Sequence, residues 1–295
     1  MSKYEMDLCE GSLWKKTMLF SVPLMFTNIL QVLFNMSDVA VVGKFAGPVA
    51  LGAVGSTSIL VTLFTGILIG LSGGVNALTA LYIGSRNEKD LQENVHTAAL
   101  LCFAAGILLM LFGILFARPI LTLMHTKDVL IDGACLYLRI YLLGMPALAM
   151  YNFGNAVLGA AGDTKRPLYY LFFAGILNVL LNLFFVIVCK MGVAGVALAS
   201  ILSQYVSAIL ILIHMARLRN SCRLEFRALT LSIGETRRIL GLGIPSGIQN
   251  AIFAIANLFI QVGVNSFDST IVSGNSAAVN VDNVIYNVMA AFYTG

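Results

Sequence analysis

Charge is what this chain has least of. Asp, Glu, Lys and Arg together make up 11% of its 295 residues, against roughly a quarter in soluble domains. There are three histidines, five cysteines and one tryptophan. The cysteines (Cys9, Cys102, Cys135, Cys189, Cys222) are scattered and form no CxxC pair. They fit neither a zinc site nor a disulfide framework and are expected as isolated thiols. The sequence offers no nucleophile–base pair and no Walker loop; the Asp and Lys of Gly162–Pro167 (GDTKRP) stand in the wrong context for a P-loop. No enzyme, no cofactor and no metal site is therefore expected. The first residues, MSKYEMDLCEGSLWKK, mix acids with bases and lack a cleavable signal pattern, so the first span is expected to direct its own insertion. The formal charge of +4 bears on membrane topology and not on nucleic acid.

Apolar residues fill the space that charge leaves. They make up 59% of the chain, and the mean hydropathy is +0.89. This predicts an all-α polytopic membrane protein, because a spanning helix needs about 20 largely apolar residues. Spans are expected at Thr17–Gly43, Val49–Val75, Val95–Phe116, Ile131–Leu158, Leu168–Cys189, Gly192–His214, Ile239–Val264 and Thr270–Tyr293. The connections agree: RNEKDLQE (Arg86–Glu93) is a charged turn, GDTKRP a Gly/Pro turn, and Lys190–Gly192 a short reversal. Most basic residues fall on the side of Lys15, Arg86, Lys165, Arg166 and the arginine-rich stretch Met215–Gly241; the other side has Lys44, Arg118, Lys127 and Lys190. The positive-inside rule then predicts a multi-pass protein of the cytoplasmic membrane with its N-terminus in the cytoplasm. Arg139, inside the fourth span, belongs to neither side.

An internal repeat sets the domain organisation. Placing Pro23 over Pro245 without a gap aligns Asn28 with Asn250, Asn35 with Asn257, Val42 with Val264 and Gly52 with Gly274. Six spans separate the two starts, so both halves enter the membrane in the same direction, the arrangement of a parallel repeat. The expected domains are a six-helix lobe over residues 1–216, a basic cytoplasmic linker over 217–236, and the first two helices of a second lobe over 237–295. The second lobe is short of four spans, and a truncated chain is expected. Its two spans should then be poorly anchored, and the linker the first place a protease cuts.

The polar residues inside the spans carry the functional reading. Asn28, Gln31, Asn35 and Asp38 step by 3, 4 and 3 residues and share one side of the first helix. A carboxylate at that depth normally faces a bundle interior or a wet cavity, and Pro23 should bend the same helix. Asn178 and Asn182 lie i, i+4 on the fifth span, and Ser200 and Gln204 do so on the sixth. With Asp38 they supply one carboxylate and several neutral oxygens, the hard donors that a Na⁺ or proton site needs. Gln31, Asn35, Asn152, Asn155, Gln204 and the second-lobe acid Asp282 are candidate cavity residues. Gly66-x-x-x-Gly70 fits close helix packing.

Pro23 and Asp38, GDTKRP, Asn178 followed by MGVAGVALASILSQ, and the second-half start GIPSGIQN together resemble the multidrug and toxic compound extrusion family of secondary transporters. The similarity runs over the whole chain. It implies two six-helix lobes in a V around a central cavity, export of cationic or amphipathic small molecules, and coupling to inward Na⁺ or H⁺. By the same resemblance Asp38 and Asn178 match ion-coupling positions, and Pro23 matches a proline whose bending is linked to the transport cycle. Many members carry aspartate where this chain has Asn182 and threonine where it has Ser200; the missing charge favours a proton over Na⁺. A monomer in the lipid bilayer is expected. Two alternatives stand beside this reading: a lipid-linked precursor or polysaccharide flippase of the same superfamily, which should carry basic residues in its cavity, and an inactive or regulatory fragment.

The topology is directly testable. In a background freed of native cysteines, single cysteines at Thr164 and Ser221 should be labelled only by reagent that reaches the cytoplasm. Labelling of either from outside intact cells would overturn the span count.

Overall fold

In the absence of water, a backbone inside a membrane must satisfy its own hydrogen bonds, and this chain does so with helices. The computed structural model describes residues 13–124 and 126–264, with a few more between 282 and 292. The helices are α1 (Leu13–Val41), α2 (Pro48–Gly84), α3 (Glu88–Leu123), α4 (Asp128–Leu142), α5 (Met145–Ala160), α6 (Lys165–Leu183), α7 (Gly192–Ala216) and α8 (Ile233–Val264). Wider π-helical turns extend α1 over Val42–Ala46 and α6 over Phe184–Val188. The last expected span, Thr270–Tyr293, lies almost wholly outside the described residues.

Local chemistry explains the breaks. Gly47, at φ +88°, releases the chain from the π turn, and Pro48 opens α2, where its missing N–H costs nothing. The side chain of Asn87 caps α3 by accepting from the Asp90 N–H at 3.3 Å. Lys190 and Gly192 both take positive φ at the reversal before α7. The expected fourth span, Ile131–Leu158, is two helices, α4 and α5, meeting at 45°. Pro146 has no N–H for the carbonyl of Leu142, and the Gly144 backbone lies against Ile201 and Gln204, where a methyl group would not fit. Among the described residues, six helices are long and apolar enough to cross a membrane singly, and seven spans result if the bent pair counts as one. By contrast, α1 stays helical through Pro23.

α2 is the hub, packing against α3, α4, α5 and α8. Its seam with α8 is made of glycine: a Cβ on Gly70 would collide with the Gly247 backbone, and one on Gly74 would lie 2.7 Å from the Ile239 carbonyl. The small-residue pair at this seam is thus Gly70 and Gly74, and Gly66 stands at its margin, where an added Cβ would lie 3.4 Å from the Asn250 Cβ. At the end of the seam, Tyr82 Oη donates to the buried Glu235 at 2.9 Å, and Arg238 Nη1 donates to both at 2.7 Å. The N-terminal half of α8 is therefore firmly anchored, contrary to expectation. The linker is held as well: His96 Nε2 accepts the Glu225 N–H at 3.1 Å, and Thr97 Oγ1 accepts the Ser232 N–H at 3.2 Å. Thr164 is buried, with its hydroxyl toward the Phe20 carbonyl at 3.4 Å, so Lys165 is the better labelling site for that loop.

The glycine seam predicts an asymmetric response to a single methyl group. Gly70→Ala should destabilise the protein by about 1–3 kcal/mol through overpacking, seen as a lower thermal unfolding midpoint in detergent. Gly55→Ala should leave the midpoint unchanged or slightly raised, because nothing lies within 4 Å of that position.

Candidate functional site

Three helices bring their polar residues to one carboxylate. Asp38 sits in the last turn of α1, just before the π turn, and is 9% exposed. Asn182 on α6 donates to its Oδ1 at 2.5 Å, and Ser200 on α7 donates to its Oδ2 at 2.9 Å. Asn182 also donates to Asn178 Oδ1 at 3.2 Å, and Asn178 Nδ2 lies 3.5 Å from Ser200 Oγ. The i, i+4 spacing of the two asparagines is what lets both point at the same place. Among the described residues no basic nitrogen comes within 4 Å of Asp38, so neutral dipoles alone surround the charge. Ser200 Oγ has a second acceptor, the Val196 carbonyl, at 3.0 Å. Gly175 on α6 admits the Phe34 ring of α1, which brings the two helices close enough for these contacts.

Beside this cluster lies a cavity of about 170 Å³, lined in part by Gln31, Asp38, Asn152, Asn178, Ser200 and Gln204. Asp38 is the one charged side chain in its described lining. Three buried polar atoms around it, Thr65 Oγ1, Asn152 Nδ2 and Gln204 Oε1, have no hydrogen-bond partner among the described residues, and neither does Asn182 Oδ1. Such atoms are costly unless something polar meets them. Asn182 completes the cluster without reaching the cavity surface.

Other candidates fall elsewhere. Asn155 does not line the cavity, since the α5 face that reaches it carries Leu148, Tyr151 and Asn152. Asp282 is exposed and is no part of the lining; most of its sequence neighbours lie outside the described residues. The side chain of Asn35 also lies outside them. Pro23 lies two turns below the cavity's first contact, Gln31, and its carbonyl accepts from Thr27 Oγ1 at 2.9 Å. Sequence reasoning missed Thr65, Tyr141, Tyr151, Ser203 and Ser207, all of which face the cavity. Tyr141 Oη accepts from Gln204 at 3.3 Å, and its ring stacks on Tyr137 with centroids 5.8 Å apart.

The fold and site together define a polytopic α-helical membrane protein whose spans line a cavity with one carboxylate in its described lining. The chain belongs to the MatE family, whose model matches residues 23–184. It is 31% identical over 285 residues to the "Probable multidrug resistance protein YpnP" of Bacillus subtilis, covering 95% of this chain and 62% of that protein. The "Probable multidrug resistance protein NorM" of Thermotoga maritima is 26% identical, with 94% and 60% covered. A protein named "FAD transporter" from Shewanella oneidensis is 24% identical, with 90% and 59% covered. The chain thus spans less than two thirds of the length of these relatives. Its fold matches that of a solved structure described as the outward-facing conformation of a multidrug resistance MATE family transporter, with a TM-score of 0.88 at 23% identity over 96% of this chain and 63% of the other.

The cluster predicts a specific rescue. Ser200→Ala removes a donor from a buried carboxylate and should cost about 1.5–3 kcal/mol, whereas Ser200→Thr keeps the hydroxyl and should restore most of it. The thermal midpoint in detergent reads both.

Proposed function

We propose that this chain forms the first lobe and the start of the second lobe of a secondary active efflux transporter. It would export cationic or amphipathic small molecules by alternating access against an inward cation gradient. The observation that carries the reading is the lone carboxylate of the cavity, bonded to a hydroxyl with two possible acceptors. With Asp38 ionised, Ser200 donates to it. With Asp38 protonated, the acid donates to Ser200 Oγ, and the serine turns its own hydrogen to the Val196 carbonyl 3.0 Å away. The Asp38–Ser200 bond survives in both states, so a proton can come and go without adding an unsatisfied group to the cluster.

A proton suits this cluster better than Na⁺ as the coupling ion. Asn182 turns its N–H, not its oxygen, toward Asp38, and it brings no second charge for a metal cation. Exchange then follows from one rule: Asp38 must be neutralised, by a proton or by cationic cargo, before the cavity closes. The cavity's charge also argues against a flippase, or a carrier for a pyrophosphate such as FAD, since its described lining has no basic group. On this reading the protein works in the cytoplasmic membrane as a monomer with its N-terminus inside, an orientation supported by the distribution of basic residues.

The test uses the chain joined to a complete second lobe, reconstituted in vesicles and assayed for efflux of a cationic dye under separately imposed pH and Na⁺ gradients. Asp38→Asn is nearly isosteric and should insert normally yet lose gradient-driven efflux. Wild-type efflux at equal expression would sink the proposal. Asn182→Asp should strengthen Na⁺ dependence, and an unchanged ion preference would place the choice of ion elsewhere in the protein.

A further inference from the structure

The linker after α7 is neither a loose tail nor a simple spacer. Leu218, Cys222 and Leu224 are buried in the core, and the backbone is pinned by Leu224 N–H to the Met215 carbonyl at 3.2 Å and Arg223 N–H to the Asn220 carbonyl at 2.9 Å. His96 then fixes the Glu225 N–H from α3. Directly after these anchors the chain holds Phe226 outward, 58% exposed, beside the last two turns of α7. Ile209, Leu212, Ile213 and Ala216 share that face of the helix, as their spacing requires. Together with Phe226 and Arg217 they enclose a groove of about 330 Å³. Its walls are apolar, and its one charged residue among the described lining, Arg217, borders it mainly with its aliphatic stem.

No carboxylate lies within 4 Å of Arg217, Arg219 or Arg227 among the described residues; only Arg223 has a partner, Glu225 at 3.5 Å. The C-terminal carbonyls of α7 contribute about half a negative charge, which these arginines outweigh. A basic group at the membrane-surface end of an apolar groove on a spanning helix complements one kind of molecule. We propose that this groove binds a single anionic phospholipid, with an acyl chain along Ile209, Ile213 and Phe226 and the phosphate at Arg217. Topological bias would require only that the arginines stay on one side of the membrane. It would not require a fixed aromatic wall beside one of them. The site does not depend on cargo or coupling ion; only the choice of the cytoplasmic leaflet rests on the orientation proposed above.

Phe226 supplies its own reporter. Trp14 is the one tryptophan in the chain, so Trp14→Phe with Phe226→Trp places a single fluorophore on the groove. The protein is reconstituted in mixed phosphatidylcholine–phosphatidylglycerol vesicles, in which either the phosphatidylglycerol or an equal amount of the phosphatidylcholine is brominated. Brominated phosphatidylglycerol should compete for the groove about fivefold better, the contribution of one basic residue near a membrane surface. Arg217→Ala, or Arg217→Gln should the first fail to fold, should bring the two lipids to equal quenching. Arg237→Ala, a basic residue on the same side but away from the groove, should preserve the preference. Equal quenching in the parent, or equal loss from Arg217→Ala and Arg237→Ala, would overturn the proposal and leave only diffuse attraction to anionic surfaces.

Discussion

A buried carboxylate with no basic side chain beside it among the described residues is the constraint around which the rest of this structure is arranged. Moving an ionised carboxylate out of water is costly unless it is fully hydrogen-bonded, and Asp38 gets its bonds from side chains on two other helices. That requirement sets the register of α1 against α6 and α7 more tightly than apolar packing would. It also explains small features nearby. Gly175 lets the Phe34 ring pass, the two asparagines lie one turn apart, and Ser200 sits on α7 where α6 faces it. Both helices that bring Asp38 and Asn182 together widen into π turns directly afterwards, a distortion common beside functional residues.

Much of this was legible in the sequence because lipid makes polarity conspicuous. Among apolar neighbours Asp38, Asn178, Asn182 and Ser200 stood out, and helical spacing was enough to place each on an inward face. Tyr141, Tyr151 and Thr65 were not legible in the same way, because such side chains serve equally well as packing residues and nothing in their spacing marks a cavity. Asn155 was overcalled for the opposite reason: three residues from Asn152, it shares the helix but not the strip of surface that meets open space. The break between α4 and α5 was hidden inside a continuous apolar run, where hydropathy sees length but not direction. The anchored linker was missed because hydrophilic stretches suggest exposure, while its inward-facing Leu218 and Leu224 are spaced irregularly.

The cavity combines a sign of charge with an absence of shape-specific contacts. One carboxylate sets the electrostatic preference, whereas the unpartnered atoms of Thr65, Asn152 and Gln204 offer hydrogen bonds of both polarities on different walls. A guest needs to satisfy few of them, and aromatic surface from Tyr141 and Phe34 supplies the remainder. Under the proposed function, such a lining would discriminate by charge more than by outline.

The contact between α2 and α8 is made where backbone meets backbone, at Gly70 against Gly247 and Gly74 against Gly243. Glycine has no rotamers, so these two points cannot be loosened by a side-chain flip or tightened by repacking. The fit there is a property of the main chain. Evolution can therefore tune the cavity wall residue by residue, but it has almost no alphabet with which to rewrite this joint.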